Sequence, residues 1–502
     1  MVQLPVELWL HVAHFIPSTM LKDLISVHRA FFYAEMAKRY KEVRLKGFFQ
    51  TSDNNILQLV DSLQVPFIRD CVQILRVRPC LLQEFLPVAE QRQHQDDTTS
   101  TSTSPDTTHL HVKVKHIFSS FSNLVEYHLL WFERLFIGDS SIDILRAPML
   151  ASQHLRKLSL EASLDKLELF LSVEDVLPRL EELDVLVRRR SDVDSGAPTV
   201  LQTSEQNLPN RFASLTSFIN RHRLSLRRFS LSVIEALDCT PLFLCLHQQF
   251  PLLHEFCLSV PTEVPHIGDP STLAHWMTWQ RASLHKFTMK PYLVTKSLLW
   301  EDSFEVWIET FLSHLSLPDL RILKLKFYFP AKGIQKLVRH FANTLDELDL
   351  GGHHMTFDQV AGVLKVLSPV QGAFGVIPQV ASRLSVLRLG KVTLSPELID
   401  IFAETLPGLQ ELDLRMEDAV PHKDEAPVYS WSGSFFRKTR NQSPAQIEQF
   451  LNAMRSRTYP DWGLQRLSVW VSLLKLQNQY QPRYVELFER CIPSLTSVSN
   501  KI

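Results

Sequence analysis

One short phrase, Leu-x-x-Leu-x-Leu, recurs along most of this chain and limits the folds that it can adopt. Copies begin at positions 155, 180, 226, 253, 284, 320, 345, 384, 409 and 464, with a shortened copy at 495 and looser copies at 72 and 124. Three intervals of 25 residues set the basic unit, and the longer intervals hold insertions. Because one unit cannot bury its own leucine face, the phrase predicts neighbouring units that stack and share a core.

Each unit is predicted to contain one strand and one helix. Phrase positions 4 and 6 lie on one face of the strand and point inward, while positions 3 and 5 point to the opposite face. Helical stretches lie between the copies, and a proline often ends the connection before the next strand. The predicted helices include Asp165–Val176, Leu208–Asn220, Phe304–Leu315 and Pro396–Leu406. The expected fold class is α/β, a solenoid with parallel strands on the concave side and helices on the convex side.

The repeated phrase resembles that of leucine-rich-repeat proteins. That family places an asparagine after the strand, whereas the equivalent positions here are Ser163, Tyr328, His353 and Val392. Uneven repeats without this asparagine are similar to the irregular arrays attached to F-box modules. The resemblance therefore implies a solenoid without a smooth, regular curvature.

The first forty residues differ from the repeats and predict three short helices. The first runs from Pro5 to Ile16, the second is predicted to be capped by Ser18, and the third covers Ala30 to Tyr40. The apolar arc of the first helix is about twice the stripe of roughly 100° that is usual for a surface helix. Three such helices cannot bury this surface among themselves. The surplus packs either on the rest of the chain or in the groove of a partner.

The N-terminal segment resembles an F-box. The resemblance rests on Leu4-Pro5-x-Glu7-Leu8, the apolar residues Ile16, Leu21 and Leu24, and the run from Val27 to Phe31, where Phe31 replaces the usual tryptophan. It implies an F-box over residues 1–48 and a repeat domain over residues 49–502. The implied contacts with a Skp-type adaptor are Leu4, Pro5, Leu8, Trp9, Val12, Ile16, Leu21, Leu24, Val27 and Phe31.

The combined resemblance implies the substrate-recognition subunit of a Skp–cullin–F-box ubiquitin ligase. The adaptor would link the chain to a cullin-RING ligase, and the repeats would bind an unknown protein target. The alternative is a scaffold or regulatory protein that uses its F-box outside ubiquitination. In either case the chain is expected not to be an enzyme and to need no cofactor.

Composition and charge argue against several other classes. The chain has 53 basic and 54 acidic residues, which predicts no global field for nucleic acid. No apolar run approaches the roughly 18 residues of a membrane span, and the start does not resemble a secretory signal. We expect reduced cysteines and a location in the cytoplasm, the nucleus or both.

Motifs that carry catalysis or bind metal are absent from the sequence. No phosphate-binding glycine loop, nucleophile elbow or His-Glu-x-x-His pattern occurs. Cys239, Cys245, His247, His254 and Cys257 form the densest group of soft ligands, but their spacing matches no standard zinc signature. The adjacent histidines 353 and 354 follow a predicted strand and are interpreted as part of a turn. The sequence therefore predicts no metal site and no catalytic residue.

Charged residues at phrase positions 3 and 5 alternate in sign almost strand by strand. The candidate target contacts on this face, one per strand, are Lys157, Asp184, Arg228, Glu255, Lys286, Lys324, Asp349, Arg388, Asp413 and Arg466. Parallel strands lie about 4.8 Å apart, so opposite charges would face each other across the sheet. The pattern indicates either neutralisation within the sheet or a charged groove for a partner.

Three segments are expected to interrupt the array. The polar, low-complexity segment from residue 90 to 108 is predicted to be disordered. A loop is expected at 188–207, where three arginines are interpreted as solvated rather than as a nuclear-import signal. A second long loop is expected at 417–441, whose aromatic residues either contact a partner or pack back on the repeats.

Overall fold

A computed structural model describes most of the chain, as two compact units that span Met1–Glu235 and Ala236–Ile502. The described residues are 5–45, 54–79, 105–131, 139–171, 175–188, 212–234, 237–261, 268–292, 300–326, 329–368, 383–425, 444–471 and 477–499.

The first unit begins with three helices and continues as strands that alternate mainly with helices. Its elements are α1 Val6–Phe15, α2 Ser18–Asp23, α3 Arg29–Arg39, β1 Glu42–Leu45, α4 Asn54–Leu63, α5 Pro66–Asp70, β2 Ile74–Val77, α6 Pro105–Phe118, β3 Glu126–Leu130, α7 Asp139–Ala151, β4 Lys157–Ala162, α8 Leu164–Phe170, β5 Glu182–Val187, α9 Ala213–Arg221 and β6 Arg228–Val233. Each strand from β1 to β6 pairs in parallel with the next strand along the chain.

The second unit repeats the same strand-and-helix alternation. Its elements are α10 Thr240–Cys245, β7 Glu255–Ser259, α11 Pro270–Trp279, β8 Lys286–Met289, α12 Trp300–His314, β9 Ile322–Leu325, α13 Ala331–Phe341, β10 Glu347–Met355, α14 Phe357–Leu367, β11 Val386–Leu394, α15 Pro396–Thr405, β12 Glu411–Ala419, a 3₁₀ turn Lys423–Glu425, α16 Pro444–Met454, β13 Arg466–Val471, α17 Gln477–Cys491 and β14 Ser497–Ser499. The strands from β7 to β14 again pair in parallel in chain order. This arrangement confirms the predicted α/β leucine-rich-repeat solenoid.

The predicted strand register is confirmed in the middle of the array. Leu348 and Leu350, at phrase positions 4 and 6 of β10, are completely buried. Leu348 pairs with Leu323 on β9 and with Leu387 on β11. Equal phrase positions therefore stand side by side, and the leucines form continuous inward rows across the strands.

The inward rows pack against the apolar faces of the helices. Helix α13 shows how a helix supplies this face, because Ile334, Leu337, Val338 and Phe341 are all buried on it. Helix α14 follows β10 directly and begins at a capping box in which Thr356 and Gln359 each bond to the backbone of the other. Strand and helix of one repeat thus cover the same core from two sides.

The three N-terminal helices have nearly the predicted bounds, with two differences. Ser18 is the first residue of α2, and the capping position is taken by Pro17, which makes no side-chain cap. The predicted cap is therefore wrong. A strand that was not predicted, β1, lies inside the range 1–48 and pairs with β2. Its Val43 and Leu45 are buried, so the repeat sheet begins before the expected domain boundary.

Two segments predicted to be irregular contain regular structure. Helix α6 begins at Pro105, inside the segment 90–108, because Val114, Ile117 and Phe118 anchor it to the core. Strand β12 continues to Ala419, inside the segment 417–441, because Ala419 is buried and β12 stays paired with β11 there. The 3₁₀ turn Lys423–Glu425 also lies in the segment 417–441, whereas residues 90–104, 189–207 and 426–441 lie outside the described residues.

The two histidines predicted to form a turn lie instead in the last part of β10. The pairing of β10 with β11 shifts between Leu350 and His354, so β10 contains extra residues and continues as a strand to Met355. Gly390 on β11 permits this irregular pairing, because a Cβ atom there would lie 1.9 Å from the carbonyl oxygen of His353. The turn prediction is wrong because tertiary pairing extends the strand.

Candidate partner-docking surfaces

The first candidate surface is the exposed side of α1. Leu8, Val12 and Phe15 are spaced four and three residues apart and therefore share one side of the helix. Their exposed fractions are 48%, 42% and 76%. The imidazole of His11 packs edge-on against the ring of Phe15, with centroids 5.2 Å apart. This side of α1 presents a row of apolar groups bordered by a polar ring.

The opposite side of α1 forms the small core of the three-helix module, which we define as residues 5–40. Ala13, Leu21 and Phe31 are buried in this core. Trp9 packs edge-on against Phe31 at a centroid distance of 5.5 Å. Leu21 and Phe31, both expected to contact an adaptor, therefore hold the helices together in this structure.

The other expected adaptor contacts divide between core and surface. Ile16 and Leu24 are half-buried against the core of the module, and Pro5 is exposed. Val27 is 67% exposed in the turn before α3. Leu4 lies outside the described residues.

Phe15 and Met20 are the most exposed apolar residues of the module that were not expected to be contacts. Phe15 is the most exposed of the large apolar residues described, and Met20 on α2 is 57% exposed. A helical wheel places Phe15 beside Leu8 and Val12, so its spacing could have identified it. We define the apolar docking surface as Leu8, Val12, Phe15, Met20 and Val27.

The second candidate surface is, in each unit, the face of the repeat strands that carries phrase positions 3 and 5, which we call the open face. Opposite charges pair there across neighbouring strands, and we call these pairs the charged ladder. The ion pairs are Lys157 with Glu182 (3.6 Å) and Asp184 (3.8 Å), Arg228 with Glu182 (3.8 Å), Lys286 with Glu255 (2.9 Å), Lys324 with Glu347 (2.8 Å) and Asp349 (4.0 Å), Arg388 with Glu347 and Glu411 (3.4 Å), and Arg466 with Glu411 (2.8 Å). The geometry agrees with neutralisation within the sheet.

The ladder continues into the first repeats, where the sequence pattern is weak. The Nε of Arg76 on β2 lies 2.8 Å from the carboxylate of Glu42 on β1, and Arg44 lies at the same distance from it. These two guanidinium groups lower the pKa of Glu42, mainly through their hydrogen bonds. The early repeats therefore use the same pairing device as the later ones.

Asp349 departs from the expectation that it faces outward. It lies on the open face but is only 4% exposed. The Nζ of Lys326 lies 2.6 Å from both of its carboxylate oxygens, and the backbone N–H of Gly351 donates to one of them at 2.8 Å. The predicted exposure is wrong because a lysine just beyond β9 covers the carboxylate.

The soft ligands noted in the sequence do not assemble into a metal site. Cys239 is fully buried, and burial raises the pKa of its thiol to about 12, so the thiol stays protonated. The imidazole of His254 stacks on the ring of His285, with centroids 5.6 Å apart. Among the residues that the structure describes, no group of three or more His, Cys, Asp or Glu could hold a metal ion.

One cavity of about 260 Å³ lies where β10 ends beside the N-termini of α13 and α14. Asp302, Glu305, Lys332 and the two histidines of β10 line it. Burial lowers the pKa of His353 to about 4, and its neutral ring hydrogen-bonds through Nε2 to the carbonyl oxygen of Leu325 at 3.0 Å. No Ser, Thr or Cys is among the lining residues of this cavity.

A search of the described helices for membrane spans finds none of sufficient length and apolar character. No protein-family model matches the sequence, and no curated protein matches it. Among solved structures, the chain is similar to one from the crystal structure of the Rad7 and Elc1 complex in yeast, with a TM-score of 0.35 and 14% sequence identity. The similarity covers 84% of this chain and 96% of that chain.

Proposed function

We propose that this chain is the substrate-recognition subunit of a Skp–cullin–F-box ubiquitin ligase. The three-helix module docks on a Skp-type adaptor that leads to a cullin-RING ligase, and the repeats bind a protein target. The observation that carries the proposal is the apolar docking surface, where Leu8, Val12 and Phe15 stay exposed on one side of α1.

An apolar row of this kind matches the mode in which a helix lies in a partner's groove. Burying one Val, Leu or Phe side chain contributes about 1.5–3 kcal/mol of transfer free energy. Phe15 and Val27, at 76% and 67% exposure, have most of this energy still available. Several such residues on one small module offer enough apolar area for a specific contact.

The repeats supply the second half of the proposed function. Stacked strands form an extended open face, and such surfaces suit the binding of a protein partner. Catalysis resides in the other subunits of the ligase, and the chain needs no cofactor. The complex works in the cytoplasm, the nucleus or both.

The test is co-purification of the full chain with a Skp-type adaptor. Leu8→Asp combined with Phe15→Asp places two charges on the apolar docking surface and should abolish the association. Leu244→Asp combined with Val306→Asp is a matched control, because both residues are 62% exposed on helices of the second unit. Adaptor binding that survives the first pair of changes in a folded protein would contradict the proposal.

The scaffold alternative uses the same docking surface and is distinguished by the composition of the complex. Cullin in the purified complex supports the ligase role, whereas adaptor without cullin supports a role outside ubiquitination. Proximity labelling with wild type and with a variant that lacks the module would then identify the target.

A further inference from the structure

The charged ladder ends before the strands do, and the next open-face residues that stand in register across β10–β13 are basic or aromatic. His354 pairs in register with Lys391, Lys391 with Arg415, and Arg415 with Trp470. We call these four residues the basic row. Lys391 and Arg415 are exposed, and His354 and Trp470 are partly exposed. The row thus presents two cations on neighbouring strands of one sheet.

Arg415 and Trp470 continue the regular alternation of the open face on β12 and β13, and irregular pairings of β10 and β11 bring His354 and Lys391 into register with them. Met355, Val392 and Met416, which each follow a member of the row, are buried. Because successive residues of a strand point to opposite faces, the row points away from the core. The backbone of Gly390 lies close to that of His353, next to the point where His354 and Lys391 pair in register after the extra residues of β10.

The two cations of the row, Lys391 and Arg415, stand outside the ion pairs of the charged ladder. Within the part of the chain that the structure describes, neither Lys391 nor Arg415 has an ion-pair partner. Asp413, the preceding open-face residue of β12, stands in register with Arg388 instead. Like charges on adjacent strands repel each other, so the neighbouring positions of Lys391 and Arg415 do not stabilise the strand pairing.

The aromatic member of the row orders one of the cations. The guanidinium carbon of Arg415 lies 5.6 Å from the centre of the Trp470 ring, which is a cation–π distance. A stacked guanidinium keeps its N–H donors in a fixed plane, where they can bind a carboxylate through two hydrogen bonds. Lys391, one strand away at about 4.8 Å, provides a second, more flexible donor.

We infer that the basic row binds an acidic segment of a protein partner, with carboxylates of that segment on Lys391 and Arg415. A nucleic acid fits less well, because its affinity comes from many phosphate contacts and the charged ladder neutralises the adjoining face. The inference rests on the proposed function and gives the chemistry of its target. Its test uses no adaptor, so the two proposals can fail separately.

The test measures binding of a fluorescein-labelled octaglutamate peptide to the full chain by fluorescence anisotropy. Wild type should bind at low salt and more weakly at physiological salt, because ions screen exposed charges. Lys391→Glu combined with Arg415→Glu should weaken binding by at least about tenfold. Lys391→Arg combined with Arg415→Lys should retain most of the affinity.

The matched control is Lys365→Glu combined with Arg455→Glu, which makes the same change in net charge at exposed positions away from the row. This control should change the affinity by less than about twofold. Thermal melts establish that each variant is folded, and Lys391→Gln with Arg415→Gln replaces the reversal if the reversal unfolds the protein. An equal loss of affinity in the two charge-reversal variants would overturn the inference, and so would a failure of the wild type to bind the peptide. The inference would also be overturned, in favour of nucleic acid, if the wild type bound labelled oligothymidylate more tightly than octaglutamate and Lys391→Glu with Arg415→Glu abolished that binding.

Discussion

The three-helix module and the repeat strands use apolar residues in opposite ways. In the repeats, leucines such as Leu323, Leu348 and Leu387 have no exposed surface. In the module, Leu8 is 48% exposed and Phe15 is 76% exposed, although both belong to a well-formed helix. The same residue types thus serve a core in one region and a surface in the other.

The difference follows from the number of neighbours that each element has. A repeat strand in the middle of the array has a strand on both sides and a helix that covers its inner face. Each of the three short helices is covered by the other two on one side only. A module of about forty residues therefore cannot enclose all of its apolar groups. An apolar pattern therefore predicts a buried face in an array, but in a small module it also predicts a docking surface.

The largest expected effect is on the repeat core. Leu348→Ala removes a side chain packed between two other leucine rows and should reduce the free energy of unfolding by about 2–5 kcal/mol. Urea denaturation of the full chain measures this loss. Leu244→Ala, at an exposed helix position, is the control and should cost less than about 0.5 kcal/mol. Hydrogen exchange should accelerate in β9 and β11 as well as in β10, and a change confined to β10 would contradict the stacked core.

The next effect depends on pH and concerns His353. Burial lowers the pKa of His353 to about 4 from an ordinary value near 6.5, so the fold favours the neutral ring. Its stabilisation is complete above about pH 6.5 and is lost as the pH falls toward 4, by up to about 3 kcal/mol. His353→Gln keeps a donor for the carbonyl of Leu325 but cannot titrate. Melts between these two pH values should therefore show a shallower loss of stability in the variant than in wild type.

The matched control for this experiment is His247→Gln, which changes an exposed histidine of the same unit. That variant should follow the wild-type pH dependence. If His353→Gln also follows it, the fold does not lower the pKa of His353 and the argument from burial is wrong.

A comparable or smaller effect is expected at Asp349, between the two leucines of β10. An exposed ion pair contributes less than about 1 kcal/mol, but this carboxylate is buried and accepts from Lys326 and from the N–H of Gly351. We therefore expect Asp349→Ala to cost about 1.5–3 kcal/mol. Asp349→Asn, which keeps an acceptor for Gly351, should cost less. Denaturant melts of both variants beside Leu348→Ala test the order, and a loss at Asp349→Ala below about 0.5 kcal/mol would show that solvent replaces these bonds.

The smallest effect on stability is expected in the module, where the effect on binding is largest. Leu8→Asp combined with Pro5→Ala alters exposed residues and should change the free energy of unfolding by less than about 1 kcal/mol. The same protein should lose the Skp-type adaptor in a pull-down. A large drop in melting temperature would show that this side of α1 packs on the chain, and the contrast between the two regions would fail.

Most of the repeat architecture was predictable from the sequence, because its signal is local and periodic. The Leu-x-x-Leu-x-Leu phrase determined the strands, their inward residues and the parallel pairing of equal positions. The alternating charges predicted the ladder, since neighbouring strands lie about 4.8 Å apart. The first strand was missed because Glu42–Leu45 carries the pattern with valine and without the first leucine.

Other features depended on contacts between residues far apart in the sequence. Lys326 covers Asp349 from the neighbouring repeat, and His353 reaches the carbonyl of Leu325 on β9. Neither contact has a fixed spacing, because the repeats differ in length. The basic row was also hidden, since extra residues in β10 shift the register that brings Lys391 beside His354.

The sequence by itself determined which residues form the repeat strands and which of their faces is apolar, because strand periodicity requires only local alternation. The tertiary structure decided which polar residues of the open face are buried, which are neutralised and which stay available to a partner. It also decided that Phe15 faces solvent while Phe31 closes the core of the module. Burial and pairing depend on the elements that lie opposite a residue, and the local pattern of a chain does not record them.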